Sequence, residues 1–488
     1  MARTFGWLLP LLLLLVFCCC AQSFLQRKTR GEVMGKPRKN ASVSWFTQKL
    51  NHFGKKKHGY WLQKYYVNYN FYKPGGPVFL MIEGNDPASI EWITRNFTWI
   101  TYAQRLGALC ILLEHRFYGD SQPTRDMSTE NLRRYLNSRQ AVADIAEFQT
   151  VIAQSMKLTE NKWVVFGGGY GGALAVWSRI KHPNLFAAAV SSSAMIQAKL
   201  NFNEYFEVIY KTVGTRNREC LKAMKEAYGF IMTTLLLPDY HGRLIFDYKF
   251  CEPLTIKSEM DQLFVVEKLM LIFATIVQSN MNRNSVGIMG EMSIDELCET
   301  MTDTSLGSPY HRYARITNTI LNNRGYPCYP ASYKENVEEN SNISLERNKL
   351  TRGRQWLYQR CNEFGWFYTT DLKNRSFTGL PTRYYVKRCS DVFGPKFNYD
   401  SMVQGVMSTN KYYGGLNVTG SKIIFSNGSN DPWCHLGITK DISADLRAVV
   451  IKGQTFCDDM LQPQDTDSAE LKQAREKIFQ ILKKWLRE

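Results

Sequence analysis

The chain alternates short, uniformly apolar runs with longer segments in which apolar residues recur every three or four positions. Short apolar runs are typical of buried parallel strands, and the longer spacing is typical of helices that cover a sheet. The sequence therefore predicts an α/β protein with a parallel sheet between layers of helices. The predicted strands are residues 78–82, 109–113, 163–166, 186–191, 422–426 and 448–451.

Two further segments, one in the amino-terminal part of the chain and one at its carboxyl terminus, carry different patterns. Residues 60–72 alternate aromatic and polar side chains, which predicts strands of a hairpin. Near the carboxyl terminus, Leu471, Ile478, Leu482 and Trp485 lie on one helical stripe, and Ser468 stands where a capping residue is expected. The last segment is therefore predicted to be an amphipathic helix.

The stretch 161–173 carries the motif on which the functional prediction depends. Its apolar run ends in Gly-Gly-Gly-Tyr-Gly-Gly at 167–172, and a helical segment follows. This order resembles the nucleophile elbow of α/β-hydrolases, where glycines flank the attacking serine because neighbouring Cβ atoms would clash. The central residue is Gly169, so the turn lacks a nucleophile. The alternatives are a tight turn without catalytic history and a phosphate-binding loop, although the Gly-Lys-Ser/Thr ending of such a loop is missing.

Together with the pattern of strands and helices, the elbow predicts the fold class. It is an α/β-hydrolase sheet with a largely helical inserted cap domain. The sheet domain is predicted to comprise residues 45–198 and 395–488. The cap would be residues 199–394, which contain few strand-like runs and most of the cysteines. Such caps decide what reaches the site.

The amino terminus predicts export. A short basic start followed by an apolar run at residues 7–20 resembles a signal peptide, predicted as residues 1–22, and a basic leader is predicted at 23–44. We expect no transmembrane segment and a location in the secretory pathway, either extracellular or endosomal/lysosomal. Six Asn-x-Ser/Thr sequons are candidate glycosylation sites: Asn40, Asn96, Asn342, Asn374, Asn417 and Asn427.

Nine of the twelve cysteines follow the predicted signal peptide. An odd number in an oxidising compartment predicts up to four disulfide bonds and one free thiol. Cys110 lies inside an apolar run and is expected to be the free cysteine. Pairing does not follow from one sequence, and our expectations are Cys361 with Cys389 and Cys434 with Cys457.

The formal charge of +17 raises the question of nucleic-acid binding. The basic residues are spread along the chain and no nucleic-acid-binding motif accompanies them, so we expect no nucleic-acid partner. Weak attraction to anionic glycans or membranes stays open as an alternative. No cofactor and no metal site are predicted, because the spacing of cysteine and histidine residues does not suit a metal.

In α/β-hydrolases the catalytic acid and histidine follow the nucleophile on loops after late strands. Asp431 follows the predicted strand 422–426 and is the candidate acid, although it could also be an aspartate that only starts a turn. No histidine stands at 452–460, after the next predicted strand. We expect His435 to be a surface or loop residue, and the serines at 191–193 to be a hydrogen-bonded strand end.

Several stretches resemble the serine exopeptidase family of lysosomal Pro-Xaa carboxypeptidase, dipeptidyl peptidase II and thymus-specific serine protease, and the last most closely. They are residues 45–53, Glu-His-Arg-Phe-Tyr-Gly at 114–119, the elbow, residues 188–194, residues 356–365 and Asn-Gly-Ser-Asn-Asp-Pro-Trp at 427–433. The resemblance implies that the family's serine falls on Gly169, its aspartate on Asp431, and its histidine on Phe456. Only Asp431 matches the family's triad.

The resemblance also implies an oxyanion hole and a substrate cleft. The backbone N–H of Tyr170 is the oxyanion-hole candidate, together with a donor from the turn 83–87. That turn is normally Gly-Gly-Glu-Gly, and here it departs from this pattern. Glu83, Asn85 and Trp433 are the candidate cleft residues.

These observations predict an exported, catalytically inactive relative of serine exopeptidases that binds a peptide or protein ligand. Homodimerisation, or association with an active relative, is the expected form of partnership. One alternative is an active serine exopeptidase, of the dipeptidyl peptidase or Pro-Xaa carboxypeptidase type, with an unrecognised nucleophile. The other is a protein with only structural or interaction roles and a closed cleft.

Overall fold

The structure is a computed structural model that describes residues 41–54, 59–279, 292–371 and 379–488. The predicted signal peptide, most of the predicted leader, and the sequons at Asn40 and Asn374 lie outside the described residues.

An eight-stranded sheet forms the centre of the protein, with the strand order β1-β2-β4-β3-β5-β6-β9-β10. The β1–β2 and β2–β4 pairs are antiparallel, and the other neighbours are parallel. Strands β7 and β8 form a separate parallel pair in the inserted region. The strands are β1 Ala41–Lys49, β2 Tyr60–Asn68, β3 Val78–Ile82, β4 Leu109–Leu113, β5 Trp163–Gly168, β6 Ala188–Ser192, β7 Lys199–Phe202, β8 Gly365–Tyr368, β9 Ile423–Gly428 and β10 Leu446–Ile451.

Helices flank the sheet and fill the chain between β6 and β9. They are α1 Glu91–Thr94, α2 Thr98–Leu106, α3 Thr129–Tyr135, α4 Ser138–Ser155, α5 Gly169–Lys181, α6 Glu204–Arg216, α7 Arg218–Leu235, α8 His241–Asp247, α9 Glu259–Gln278, α10 Ile294–Thr302, α11 Pro309–Arg324, α12 Tyr333–Ser341, α13 Leu345–Thr351, α14 Gly353–Gln359, α15 Thr382–Phe393, α16 Tyr399–Tyr413 and α17 Ala469–Arg487. A π-helical turn, Arg360–Phe364, follows α14, and short 3-10 turns include Pro432–Leu436 and Asp458–Met460.

The apolar runs form central strands because both faces of the sheet are covered. In β3, Val78 and Leu80 pack into the core on one face, and Phe79 and Met81 pack into the core on the other. The predicted α/β-hydrolase fold is confirmed, and each predicted strand of the sheet overlaps an observed one. The stretch 60–72 was predicted to hold the strands of a hairpin, but it contains the single strand β2, which pairs with β1 instead. Helix α17 begins after Ser468, whose hydroxyl accepts a hydrogen bond from the Leu471 backbone.

Two structural details differ from the sequence predictions. Strand β1 begins at Ala41, inside the predicted basic leader, because its alternating residues pair along the whole length of β2. The β7–β8 pair was missed, since two short strands far apart in sequence carry no periodic signal. The boundaries of the cap at 199 and 394 stay a prediction.

The described cysteines form three disulfide bonds, which are Cys220–Cys298, Cys251–Cys328 and Cys361–Cys389. The predicted pair of Cys361 with Cys389 is confirmed, and Cys110 is free and buried in β4 as expected. The predicted pair of Cys434 with Cys457 is wrong, because the two cysteines do not form a disulfide bond. The Cys457 Sγ atom lies 3.7 Å from the Ser192 carbonyl oxygen, whereas Cys434 is half-buried on a 3-10 turn.

The four sequons within the described residues differ in exposure. Asn96 and Asn417 are exposed and Asn342 is half-buried. Asn427 is buried in β9, and its amide donates a hydrogen bond to the Ile438 carbonyl oxygen at 2.9 Å. Asn427 is therefore wrong as a glycosylation candidate, because a glycan could not be attached to this buried amide. Among the described residues, no helix is long and apolar enough to cross a membrane.

Candidate active site

Strand β5 passes directly into helix α5 at the turn predicted as an elbow. Gly168 ends the strand, and Gly169 begins the helix with a φ of +54°, in the left-handed region. Only glycine adopts this region without steric cost; other L-residues lose roughly 1–2 kcal/mol there. The strained conformation expected of an elbow is therefore present, and glycine relieves the strain.

Close contact between the elbow and the end of β3 requires a second glycine. A Cβ atom on Gly171 would lie 2.5 Å from the Ile82 carbonyl oxygen and 3.2 Å from the Gly84 nitrogen. Backbone atoms on both sides leave no room for a side chain. The turn after β3 is thus fixed directly against the first turn of α5.

The Phe456 ring occupies the space in front of Gly169. A Cβ atom on Gly169 would lie 3.0 Å from Phe456 Cζ and 3.9 Å from the sulfur of Met195. The ring is partly buried and packs against the main core. The structure therefore brings Gly169 and Phe456 together, as the resemblance implies for the two positions.

Asp431 lies on the loop after β9 and is fully buried. Its Oδ1 atom accepts a hydrogen bond from the Trp433 backbone at 2.9 Å and so caps the 3-10 turn Pro432–Leu436. Its Oδ2 atom is buried without a hydrogen-bond partner among the described residues. Burial, with smaller contributions from the carboxyl groups of Asp458 and Asp459, raises the pKa of the carboxyl group to about 7, although hydrogen bonds with the Trp433 backbone and the Ser193 hydroxyl act to lower it.

The three serines at the end of β6 have hydrogen-bond partners, as predicted. The Ser191 hydroxyl donates to the Ile424 carbonyl oxygen at 3.1 Å, and the Ser192 hydroxyl donates to the Asp459 carboxylate. The Ser193 hydroxyl accepts from the Cys457 backbone at 2.9 Å. His435 is exposed on the 3-10 turn, as expected. No group of three metal-ligating side chains is found in the part of the chain that the structure describes.

Two of the candidate cleft residues line a small cavity beside Gly169. Glu83 and Asn85 stand on one side, on the turn after β3, and the cavity has a volume of about 40 Å³. Tyr170 also lines it, in the first turn of α5, where backbone N–H groups lack intrahelical acceptors. Asp86, on the same turn, forms an ion pair with Arg352 at the start of α14 and so ties the turn to the inserted region.

A family model described as serine carboxypeptidase S28 matches residues 48–478. The chain belongs to the S28 family. Mouse thymus-specific serine protease is 32% identical, over 91% of this chain and 87% of its own. Human lysosomal Pro-X carboxypeptidase is 27% identical, over 92% and 89% of the two chains. A solved structure, proline iminopeptidase of Mycobacterium smegmatis, matches 91% of this chain and 99% of its own, with 12% identity and a TM-score of 0.40.

In this S28 member the stretch 114–119 contacts the elbow through a network that sequence reasoning missed. His115 Nδ1 donates to the Arg116 carbonyl oxygen at 2.6 Å, so its Nε2 atom accepts from the Tyr170 hydroxyl at 3.1 Å. Burial lowers the pKa of His115 to about 4, which keeps the ring neutral. The Tyr170 hydroxyl accepts from Gln359 Nε2 at 2.9 Å, and Tyr118 donates to Gln359 Oε1 at 2.6 Å.

Trp433, the third cleft candidate, does not line the cavity beside Gly169. It is 2% exposed, and its indole N–H donates to Gln278 Oε1 at 3.1 Å. Its ring contacts Tyr205 and Tyr368 from the inserted region. Trp433 was thus wrong as a residue of this cavity, because it is buried between the Asp431 loop and the insertion.

Proposed function

We propose that this S28 member is catalytically inactive, passes through the secretory pathway and binds peptides. The observation that carries the proposal is the contact between Gly169 and Phe456. It puts a residue without a side chain and a residue without a titratable group at the two positions where the family resemblance implies a serine and a histidine.

Serine peptidase chemistry needs both of the missing groups. A hydroxyl oxygen must attack the carbonyl carbon, and an imidazole must accept its proton and later deliver it to the leaving amine. Gly169 offers no oxygen atom, and the Phe456 ring neither accepts nor donates a proton. In serine proteases the loss of either group lowers kcat on the order of a millionfold.

The oxyanion side of the site also argues against turnover. Glu83 and Tyr170 line the same cavity, so a carboxylate stands near the N–H group proposed to stabilise an oxyanion. When Glu83 is ionised, its negative charge opposes the negative charge that develops in the transition state. The roughly thousandfold catalysis that an oxyanion hole and substrate binding give on their own would be reduced as well.

Neighbouring groups do not supply an obvious replacement nucleophile. The hydroxyl groups of Ser192 and Ser193 are engaged by Asp459 and Cys457 at the end of β6. Burial, together with the nearby Asp431 carboxyl group, raises the pKa of the Cys434 thiol to about 12. A thiol with such a pKa is protonated at physiological pH and is therefore a weak nucleophile.

Two features support export and one supports peptide binding. Three disulfide bonds fit an oxidising compartment, and the sequons at Asn96 and Asn417 are exposed. The named relatives are peptidases, so a peptide is the natural ligand class for a scaffold of this family. Homodimerisation and association with an active relative remain predictions.

Labelling with a fluorophosphonate probe tests the proposed inactivity. We expect no covalent labelling of the purified, secreted protein and no hydrolysis of proline-containing tripeptides. Mouse thymus-specific serine protease, expressed in the same way, is the comparison protein. Labelling that a single Ser→Ala change abolishes would show that a nucleophile has been overlooked and that the protein is an active peptidase.

Restoring the serine and the histidine tests whether their loss explains the proposed inactivity. Gly169→Ser and Phe456→His should each give no hydrolysis, because the serine and the histidine act as a unit. The double variant tests the rest of the site. We expect it to need Glu83→Gly as well, since the carboxylate opposes the oxyanion. Hydrolysis by either single variant would contradict the assignment of these two positions.

A further inference from the structure

Glu83, the first residue after β3, is a buried carboxyl group without a counter-charge. Its side chain is 8% exposed. Its carboxyl group interacts with the Gly84 backbone N–H, but within the described residues no ion pair reaches it. Buried carboxylates are almost always paired, because removing an unpaired charge from water is very unfavourable. A buried unpaired carboxyl at a cavity wall therefore suggests that a ligand supplies the partner.

The charged groups around Glu83 do not compensate it. Asp86 is already paired with Arg352. Glu114, below the same turn, accepts hydrogen bonds from the backbones of Ala88, Asp120 and Ser121. Burial raises the pKa of Glu83 well above its ordinary value, and the carboxyl groups of Asp86 and Glu114 raise it further. The turn therefore presents an excess of acidic groups to the cavity.

The cavity combines this carboxyl group with apolar walls. Its wall opposite Glu83 includes Trp92, Met195, Phe456 and Met460. A water molecule needs roughly 10–15 Å³ of such space, so the volume of about 40 Å³ holds two or three non-hydrogen atoms. The tip of a ligand fits, and a peptide segment does not.

We propose that Glu83 makes this cavity a binding site for a primary ammonium group, supplied by the amino terminus of a peptide or by a lysine side chain. The ammonium group would donate hydrogen bonds to the carboxylate, and the ligand carbon atoms next to the ammonium nitrogen would contact the apolar wall. The aromatic rings of Trp92 and Phe456 suit a cation as well. The inference rests on the proposed function, because an active site would need this space for an oxyanion.

The same charges set the orientation of a bound peptide. None of the described residues that line the cavity carries a positive charge, so a carboxyl terminus placed there would have no cationic partner. The amino terminus is attracted. A peptide ligand therefore enters this cavity with its amino end.

Ammonium binding should be linked to proton release. Asp86 and Glu114 face Glu83 and favour its protonated form, while Arg352 is engaged by Asp86. A bound ammonium favours the ionised carboxylate instead, so binding expels the Glu83 proton. Affinity should rise from pH 5 to pH 7.5, and it should fall above pH 8 or so, where an α-amino group loses its charge.

Isothermal titration calorimetry on the full secreted protein tests the site with three matched pairs of ligands. They are n-butylammonium with n-butanol, trialanine with N-acetyl-trialanine, and Nα-acetyl-lysine amide with its ε-acetylated form. We expect each ammonium ligand to bind about ten- to a hundredfold more tightly than its neutral partner. The last two pairs distinguish an amino terminus from a lysine side chain as the source.

Glu83→Gln keeps the shape of the side chain and removes its charge. This variant should lose the preference for ammonium ligands and the rise of affinity with pH. Glu160→Gln, the same change at an exposed site at the opposite end of β5, should lose neither. The wild-type ligand pairs need no variant, so the test holds even if Glu83→Gln fails to fold.

The outcomes separate the two proposals. Equal binding of the ammonium ligand and its neutral partner in all three pairs would overturn the ammonium site while leaving peptide binding intact. Binding of none of the three ammonium ligands would overturn it too. Fluorophosphonate labelling bears on inactivity alone, so the proposed function can fail independently of the site.

Discussion

Two groups of residues at the carboxyl edge of the sheet differ in what surrounds them. Gly171 packs against backbone, with the Ile82 carbonyl oxygen 2.5 Å from an added Cβ atom. Gly169, Phe456 and Glu83 face the cavity beside the elbow. The fold depends on the first group, and under the proposed function the catalytic groups have been lost from the second.

Asp431 shows why one residue of the triad pattern still matches. Its carboxylate caps the 3-10 turn through the Trp433 backbone and is fully buried, so it has a structural role that needs no imidazole. Its Oδ2 atom is buried without a hydrogen-bond partner among the described residues, so the burial of the carboxyl group is only partly compensated. A structural function can therefore preserve a residue of the catalytic pattern, and Asp431 alone does not indicate activity.

The largest effect is expected from Gly171→Ala. Alanine favours helices, but here its Cβ atom would overlap the Ile82 carbonyl oxygen and displace the turn after β3. We expect a loss of about 3 kcal/mol or more in the free energy of unfolding, measured with urea.

Gly229→Ala is the matched control for this substitution. Gly229 lies in α7, and a Cβ atom there would meet nothing within 4 Å. The control should be neutral or stabilising by about 0.5–1 kcal/mol. If Gly171→Ala were equally harmless, the distinction between backbone-packing and cavity-facing residues would be lost.

The next effect concerns the pH dependence of stability at Asp431. The folded pKa of about 7 lies above the ordinary value of 3.8, so the folded state binds this proton more tightly than the unfolded state. Its favourable contribution is complete below about pH 4 and is lost as the pH rises to about 7. Relative to Asp431→Asn, the wild-type protein should lose about 3–4 kcal/mol between pH 4 and pH 8.

Urea unfolding at four or five pH values measures this difference. The other buried carboxyl groups are present in both proteins, so their contributions largely cancel. The exposed Asp465→Asn variant should follow the wild-type curve. Parallel curves for the wild type and Asp431→Asn would mean that Asp431 is ionised at low cost and has a partner that the structure does not reveal.

A smaller effect is expected from a double-mutant cycle at the elbow. Gly169→Ala should cost about 1–3 kcal/mol, because the residue has a positive φ and its Cβ atom would touch Phe456. In the Phe456→Ala background the contact with the ring is absent, so Gly169→Ala should cost only the free energy of holding alanine at a positive φ. We expect a coupling free energy of about 1 kcal/mol. A coupling of zero would show that the ring moves away freely.

The sequence predicted the sheet and the elbow well, because apolar runs and glycine spacing report directly on strand burial and turn geometry. It placed Gly169 and Phe456 together only through the family resemblance, since no local pattern joins residues so far apart in sequence. The lack of an ion-pair partner for Glu83 among the described residues could not be predicted, because it depends on Arg352 pairing with Asp86 instead. The network of His115, Tyr170 and Gln359 was missed for the same reason.

The smallest effect concerns the loops that were wrongly predicted to share a disulfide bond. No disulfide bond joins Cys434 to Cys457, so packing and hydrogen bonds, such as that from the Asn430 backbone to the Gln454 carbonyl oxygen at 2.9 Å, hold the Asp431 loop against the loop after β10. Maleimide labelling should find three thiols in the denatured protein, Cys110 included, and at most the half-buried Cys434 should react rapidly in the native protein. Cys434→Ser should change the free energy of unfolding by less than about 0.5 kcal/mol. A single reactive thiol after denaturation would instead mean that the two loops are cross-linked, and that the cavity wall at Phe456 is held covalently rather than by packing.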